Sequence, residues 1–241
     1  FIDVITDEYF RKALWNTVLF FIASAPETTF LALIVAFMVN NLHLKGKSFF
    51  RTVMFLPNIT TPIAVGILFT YIFDWNYGVF NIILKSLGLI HENINFFGEP
   101  NLTWFNISIM VIWRWFGYHM VILLAALQTI DNQLYEAATV DGANMFHSFW
   151  HITLPLVKPT IVFLLITSII GGLNLFDEPM IIYGPGGGPS FSAATLALYM
   201  YNNVFVNNNW GYGSAISFVI FLIVLFCSLT FYRFAGKSNQ E

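Results

Sequence analysis

Two ionisable residues stand inside long apolar stretches of this sequence, where charged groups are rare. Glu27 lies 13 residues before Asn40, and Arg114 lies 13 residues before Leu127, the ends of their respective stretches. In helices that rise 1.5 Å per residue, both side chains lie about 20 Å from the same side. The equal depth predicts an ion pair between them. Two other roles stay open for Arg114: direct binding of a solute in a cavity, or a structural role at an interface or in a buried polar niche.

Several side chains near Arg114 suit the recognition of a sugar. A sugar site needs aromatic faces for the pyranose ring and a few polar groups for its hydroxyls. The candidate contacts, on stretches 105–127 and 160–176, are Arg114, Trp115, Tyr118, Ser168, Gly171, Gly172 and Asn174. The two glycines would let a ligand approach the backbone, although close packing between helices explains small residues equally well.

The sequence predicts no covalent chemistry by this chain. His147 and His151 have the i, i+4 spacing of some zinc sites, but no third ligand accompanies them, so we expect no metal. Cys227 lies in an apolar run and favours simple packing. Two Gly-Lys-Ser triplets, at 46–48 and 236–238, lack the upstream glycine of a phosphate-binding loop. We therefore expect no enzyme activity and no cofactor in this chain, and any ATP chemistry would belong to another polypeptide.

The elements that carry these residues are predicted to be membrane-spanning helices. Of the 241 residues, 57% are hydrophobic and only 10% are charged, whereas about a quarter of an average soluble domain is charged. The net charge of −3 carries no nucleic-acid signal. The runs long enough to cross about 30 Å of hydrocarbon are 14–39, 53–73, 105–127, 160–176 and 215–231. We expect one all-α, multi-pass domain over residues 1–241, with a sixth helix preceding Phe1.

Lysines and arginines in the connections predict the orientation of the spans, because positive charge collects on the cytoplasmic side. Six fall on one side and three on the other: Lys45, Lys47, Arg51, Lys158, Arg233 and Lys237, against Arg11, Lys12 and Lys85. The 128–158 connection and the C-terminus are therefore predicted to be cytoplasmic. Residues 74–104 and 177–214 then face outward.

A polar segment from Tyr135 to Pro159 separates two of the apolar runs. Asp131 or Asn132 can cap a helix that begins near Gln133, and Gly142 can end it. A second short helix is predicted from about Met145 to His151. Small residues at 137, 138, 142 and 143 allow another surface to approach closely, and a polar connection of 31 residues needs a partner.

The same segment carries a motif of fixed spacing. Glu136-Ala137-Ala138, Gly142, Ile152, Leu154 and Pro155 fit the pattern EAA-x3-G-x9-I-x-LP. This pattern resembles the cytoplasmic EAA loop of permease subunits in binding-protein-dependent ABC importers. Stretches at 113–130, 176–177, 186–189 and 211–215 resemble the maltose-permease-like group of sugar permeases. The resemblance covers nearly the whole chain and implies the type I ABC importer permease fold.

The resemblance also implies roles and partners. The residues implied to couple the chain to a separate ATPase are Glu136, Ala137, Ala138, Asp141, Gly142, Ala143, Leu154 and Pro155. The ATPase would bind ATP and Mg, and the substrate cavity would lie between runs 105–127 and 160–176. The implied partners are a second homologous permease, two ATP-binding subunits, an external solute-binding protein, the sugar and membrane lipid. The setting would be the cytoplasmic membrane of a bacterium or archaeon.

Import of a sugar, a di- or oligosaccharide, is therefore the predicted function. Arg114 keeps open the import of a phosphorylated small solute, such as glycerol phosphate, by the same machinery. A secondary transporter is disfavoured because no clear pair of inverted repeats with broken helices is visible. An intramembrane enzyme would need histidines and carboxylates to converge in the bilayer, and His119 is the only histidine within a predicted span.

Overall fold

The computed structural model describes residues 2–41 and 46–237, and every regular element within these ranges is helical. Lys45, used above for orientation, lies outside the described residues. The α-helices are α1 (Ile2–Thr6), α2 (Glu8–Asn41), α3 (Lys47–Ile59), α4 (Pro62–Ile72), α5 (Val79–Ser86), α6 (Thr103–Leu127), α7 (Asn132–Val140), α8 (Met145–Ser148), α9 (Leu154–Leu173), α10 (Asp177–Tyr183), α11 (Leu196–Tyr201) and α12 (Trp210–Lys237). This confirms the predicted all-α class.

Four helical stretches of the described chain are long and apolar enough to cross a membrane. They contain α2, α6, α9 and α12, and each coincides with a predicted run. The run 160–176 was placed too far along the chain, since α9 begins at Leu154 and ends at Leu173. Pro155 does not delay its start, because a helix tolerates proline in its first turn, whereas Pro159 lies inside the helix.

The fifth predicted run, 53–73, is broken rather than straight. Helices α3 and α4 meet at an angle of 97° and count as one span only if the bent pair is taken together. Pro62 opens α4 and forces Thr61 into an extended conformation, with φ −60° and ψ 141°. The Thr61 hydroxyl then accepts a hydrogen bond from the Ala64 backbone N–H and caps α4.

The main core lies where α2, α6 and α9 meet. Ala32 and Ala36 on α2 are fully buried and let α6 approach closely. Larger side chains from the other two helices, such as Leu124 and Leu164, fill the remaining space. The three helices therefore form the frame around which the other elements pack.

Helix α6 has no side chain at Gly117, and this allows α3, the first half of the bent span, to cross it closely. A Cβ atom at this position would lie 1.8 Å from the Met54 carbonyl oxygen on α3. Real Cβ atoms do not come that close to backbone, so only glycine permits this crossing.

Hydrogen bonds fasten the N-terminal part of the chain to α11 and α12. The Tyr199 and Tyr212 hydroxyls both donate to the Asp7 carboxylate. Burial acts to raise the pKa of Asp7, but these two hydrogen bonds and the backbone N–H groups of Tyr9 and Phe10 outweigh it and lower the pKa below its ordinary value. Further along, the Asn16 side chain donates to the Phe191 and Ala194 carbonyls at 2.9 and 3.0 Å.

Candidate functional site

A cavity of about 440 Å³ opens between α2, α6, α9 and the start of α10. All seven residues predicted to contact a sugar line it: Arg114, Trp115, Tyr118, Ser168, Gly171, Gly172 and Asn174. Residues that are far apart in the sequence converge here because α6 and α9 both pack on α2. The cavity volume falls within the range of about 300–1,000 Å³ that is typical of small-molecule sites.

The aromatic wall of the cavity comes from α6. The Trp115 and Tyr118 rings pack edge to face with their centroids 5.8 Å apart, and the Arg114 guanidinium carbon lies 5.8 Å from the Trp115 ring centroid. Trp115 stays 39% exposed. An indole held in this way offers an apolar face on which a sugar ring can stack.

The opposite wall is the glycine pair at the end of α9. An added Cβ atom at Gly171 would meet nothing within 4 Å, so this residue faces open space. At Gly172 the Cβ would lie 3.0 Å from the Phe21 ring on α2, so this glycine serves helix packing as well. The Asn174 side chain caps the end of the wall by donating to the Ile170 carbonyl at 2.8 Å.

Arg114 forms its ion pair with Glu178, and the predicted partner Glu27 was wrong. Arg114 Nη1 lies 2.8 Å from Glu178 Oε1 and 3.8 Å from Asp177 Oδ2. Among the described residues Glu27 forms no ion pair, and its side chain is exposed on another face of α2. Equal depth gave no information about which way each helix face points, and that direction decides the partner.

The cavity has polar groups that the sequence reasoning did not assign. Ser24 and Thr28 on α2 line it, but both hydroxyls donate to carbonyls of their own helix, at 2.6 and 2.7 Å. His119 is 3% exposed and bridges helices, with Nδ1 3.0 Å from the Thr29 hydroxyl and Nε2 3.5 Å from the Ser168 hydroxyl. The sequence offered one signal for this role: His119 is the one histidine within a predicted span.

Asp177 and Glu178 were also missed as lining residues. They follow the predicted run 160–176 directly, and the structure folds them back into the cavity as the first turn of α10. Glu178 is 2% exposed, which is rare for a carboxylate without a partner. Pro179, the next residue, suits the first turn of a helix, and this was the available signal for a re-entering segment.

The first part of the motif, Glu136-Ala137-Ala138, lies on α7, and the capping predictions hold for this helix. The Asp131 side chain accepts from the Gln133 backbone N–H at 3.0 Å and caps the start. Gly142 follows the end with φ +82°, and the Ala143 N–H donates to the Ala138 carbonyl at 2.8 Å. This left-handed turn is one that glycine adopts without strain.

After this turn the chain runs into α9 without a loop. Asn144 caps α8 by accepting from the His147 N–H at 2.8 Å. A π-helical segment, Phe149–Thr153, then joins α8 to α9, where the sequence predicted a separate short helix ending at His151. The Tyr135 and Thr153 hydroxyls form a 2.9 Å hydrogen bond, which connects α7 to the π-helical segment.

Helices α7 and α8 and the start of α9 present an exposed surface. Of the predicted coupling residues, Glu136, Ala137, Asp141, Gly142 and Pro155 are exposed, while Ala138, Ala143 and Leu154 are half-buried. Large apolar side chains join them, with Val140 88% and Phe146 72% exposed. Exposed apolar groups of this size beside exposed charges are typical of a surface that contacts another protein.

The two histidines of α8 and the π-helical segment stack on each other, with centroids 3.9 Å apart. In the part of the chain that the structure describes, no group of three or more His, Cys, Asp or Glu side chains could hold a metal ion.

Comparison with known proteins agrees with this architecture. Lactose transport system permease protein LacF of Rhizobium radiobacter is 42% identical over 236 residues, which cover 98% of this chain and 78% of LacF. Arabinooligosaccharides transport system permease protein AraP of Bacillus subtilis is 34% identical over 233 residues, covering 96% of this chain and 74% of AraP.

A similar fold occurs in the crystal structure of a bacterial alginate ABC transporter in complex with an alginate pentasaccharide-bound periplasmic protein. One of its chains superposes with a TM-score of 0.89 at 24% identity, over 99% of this chain and 82% of that one. The permease fold implied by the resemblance is thereby confirmed.

The family described as the binding-protein-dependent transport system inner membrane component matches residues 28–239. That range includes the broken span, the α7–α8 motif helices and both walls of the cavity. The chain therefore belongs to this family: it is a multi-pass transport permease of the ABC importer type and not an enzyme.

Proposed function

We propose that this chain is one of two related membrane subunits of an importer for a di- or oligosaccharide, in the cytoplasmic membrane of a bacterium or archaeon. The cavity between α6 and α9 carries the proposal, because it combines a Trp115 face with hydroxyl and amide groups around open space at Gly171. The names of the relatives LacF and AraP refer to lactose and to arabinooligosaccharides, which supports a sugar as the solute.

A phosphorylated small solute is the second candidate, because Arg114 lines the cavity and guanidinium groups bind phosphate well. The ion pair with Glu178 counts against it, since the cation is already neutralised by a carboxylate 2.8 Å away.

A separate ATPase is the proposed partner of α7 and α8. It would bind ATP and Mg and receive the exposed surface that carries Glu136, Ala137, Ala138, Asp141 and Gly142. Exposed Val140 and Phe146 beside these residues support a protein partner here. Two such ATPase subunits would serve the two permeases.

The second permease is the proposed partner of one face of α2. Glu27, Leu31 and Met38 follow one another along this face and are all exposed. A carboxylate facing lipid in the middle of a span costs several kcal/mol. A protein partner that supplies a cation or a hydrogen-bond donor would remove this cost.

Transport follows from linking these surfaces. ATP binding would draw the two α7–α8 surfaces of the permease pair together and open the cavity outward. The solute-binding protein would dock on the outward segments 74–104 and 184–214 and release the sugar, and hydrolysis would return the inward-facing state. Nucleotide binding and solute binding can be coupled only because each ligand favours a different conformational state of the transporter.

Filling the cavity tests the function. In proteoliposomes that contain the assembled transporter, we expect uptake of radiolabelled lactose and loss of that uptake in Gly171→Leu. Gly171 lines the cavity and a Cβ atom added there meets nothing within 4 Å, so the leucine side chain extends into the cavity. Ala64→Leu is the matched control, because it places a leucine at an exposed position of α4 that does not line the cavity and lies outside the proposed docking segments. Equal uptake by both variants would contradict the assignment of this cavity.

A further inference from the structure

Two carboxylates share one guanidinium in the cavity. Arg114 lies 2.8 Å from Glu178 and 3.8 Å from Asp177, and all three residues line the same space. The two acidic side chains differ in exposure: that of Glu178 is 3% exposed, whereas that of Asp177 is 50% exposed. Glu178 is therefore committed to Arg114, and Asp177 presents its carboxylate to whatever enters the cavity.

The charges of this cluster do not cancel. One guanidinium faces two carboxylates, and with both carboxylates ionised the wall of the cavity carries one net negative charge. In the low dielectric of a membrane protein this charge acts over a longer range than it would in water. Tyr118 and His119 are the other titratable groups that line the cavity. His119 is buried between Thr29 and Ser168.

We propose that Asp177 makes this cavity selective for uncharged sugars and excludes phosphorylated or otherwise anionic solutes. The inference rests on the proposed function, in which this cavity holds the solute. Glu178 neutralises Arg114, which is the one arginine or lysine among the described residues that line the cavity. Asp177 then supplies a repulsive charge against anions and two acceptor oxygens for the hydroxyls of a neutral sugar.

The same cluster positions the aromatic wall. With its guanidinium held by Glu178, Arg114 stays 5.8 Å from the Trp115 centroid. Removing the charge at Asp177 leaves this arrangement in place, because its 3.8 Å contact with Arg114 is the longer of the two. Asp177→Asn therefore changes the charge of the wall at nearly constant shape.

A cysteine at Gly171 can report the potential in the cavity without knowledge of the solute. Cys227→Ser first removes the native cysteine, and Gly171→Cys then places a thiol in open space. The assembled transporter is treated with a cationic trimethylammonium-ethyl or an anionic sulfonatoethyl methanethiosulfonate, and the two reaction rates are measured. Their ratio is independent of the ionised fraction of the thiol, because both reagents attack the same group.

We expect Asp177→Asn to lower the cation-to-anion rate ratio about tenfold, since one lost charge changes both rates in opposite directions. Glu92→Gln, which removes an exposed carboxylate away from the cavity, should leave the ratio unchanged. An unchanged ratio in Asp177→Asn would overturn the proposal.

Ionic strength provides a test that needs no carboxyl variant. In the protein that retains Asp177, the salt concentration is raised from about 0.01 M to 1 M. This shortens the electrostatic screening length from about 30 Å to about 3 Å. The ratio at Gly171→Cys should fall toward the ratio at Gly211→Cys, and equal ratios at both sites in low salt would also overturn the proposal. Lactose uptake by the same proteoliposomes tests the proposed function separately, because it does not depend on the ratio.

Discussion

Arg114 Nη1 on α6 donates a 2.8 Å hydrogen bond to Glu178 Oε1 on α10, which lies 64 positions further along the chain. The bond holds the re-entering segment that follows α9 against the middle of α6. It acts together with the 3.8 Å contact between Arg114 and Asp177 and with the 3.4 Å hydrogen bond from Asn106 on α6 to the Tyr183 hydroxyl on α10.

Breaking this ion pair on one side should destabilise the protein. In Glu178→Ala the guanidinium stays buried without its closest carboxylate, which costs about 3–5 kcal/mol in comparable sites. Arg114→Met with Glu178→Leu removes both charges and should restore most of the lost stability. Thermal unfolding of the detergent-solubilised assembly checks both, and a double variant no more stable than Glu178→Ala would contradict the pairing.

Gly142→Asp should abolish uptake and solute-stimulated ATP hydrolysis while the chain still inserts in the membrane. The position has φ +82° and an exposed surface, so aspartate adds a negative charge to the proposed ATPase contact. Gly142→Asn is the control, because asparagine tolerates the left-handed conformation and adds no charge. Normal uptake in Gly142→Asp would refute the coupling role of α7.

Gly117→Ala should weaken the crossing of α3 over α6. The new methyl group would lie 1.8 Å from the Met54 carbonyl oxygen, and overpacking of this kind typically costs about 1–3 kcal/mol. Gly211→Ala adds the same atom in open space. The melting temperature should fall in Gly117→Ala and stay constant in Gly211→Ala. Equal melting temperatures in the two variants would show that α3 and α6 can move apart at little cost.

Stability should depend on the ionisation of Asp7. Hydrogen bonds from Tyr199 and Tyr212 lower the pKa of Asp7 below its ordinary value of 3.8. A lowered folded-state pKa means that this stabilisation is present above about pH 3.8 and is lost as the pH falls through the folded value. Asp7→Asn should flatten the dependence of the melting temperature on pH below about pH 3.8, and Asp3→Asn, on the same short segment, should not.

Glu27→Lys should prevent co-purification of the second permease, because the proposed contact face of α2 would then carry the opposite charge. Glu92→Lys places the same change in an exposed outer segment and should leave assembly intact. Co-purification in equal yield from both variants would show that this face of α2 meets lipid or another element instead.

Local chemistry explains which features the sequence could predict. Asp131 and Gly142 bound α7 as expected, because capping depends on residues that are adjacent in the chain. The seven predicted sugar contacts converge on one cavity because α6 and α9 share the partner α2.

Features that depend on helix rotation were not predictable in this way. The choice of Glu178 over Glu27 as partner of Arg114 requires knowing which face each helix turns to its neighbour. The 97° bend between α3 and α4 joins two apolar stretches that hydropathy cannot separate, although Pro62 marked the place.

The segment Met145–Leu173 is continuous through its π-helical part, so the α8 part of the proposed ATPase surface and the wall at Gly171 belong to a single helical stretch of 29 residues. A rotation of one end is therefore passed toward the other end through the helix itself. Inserting one residue in this stretch would turn the cavity wall by about 100° relative to the motif surface. The rotational phase of this one helix would therefore set the orientation of the proposed ATPase contact relative to the proposed sugar site, and an insertion would alter it without changing a residue proposed to contact either partner.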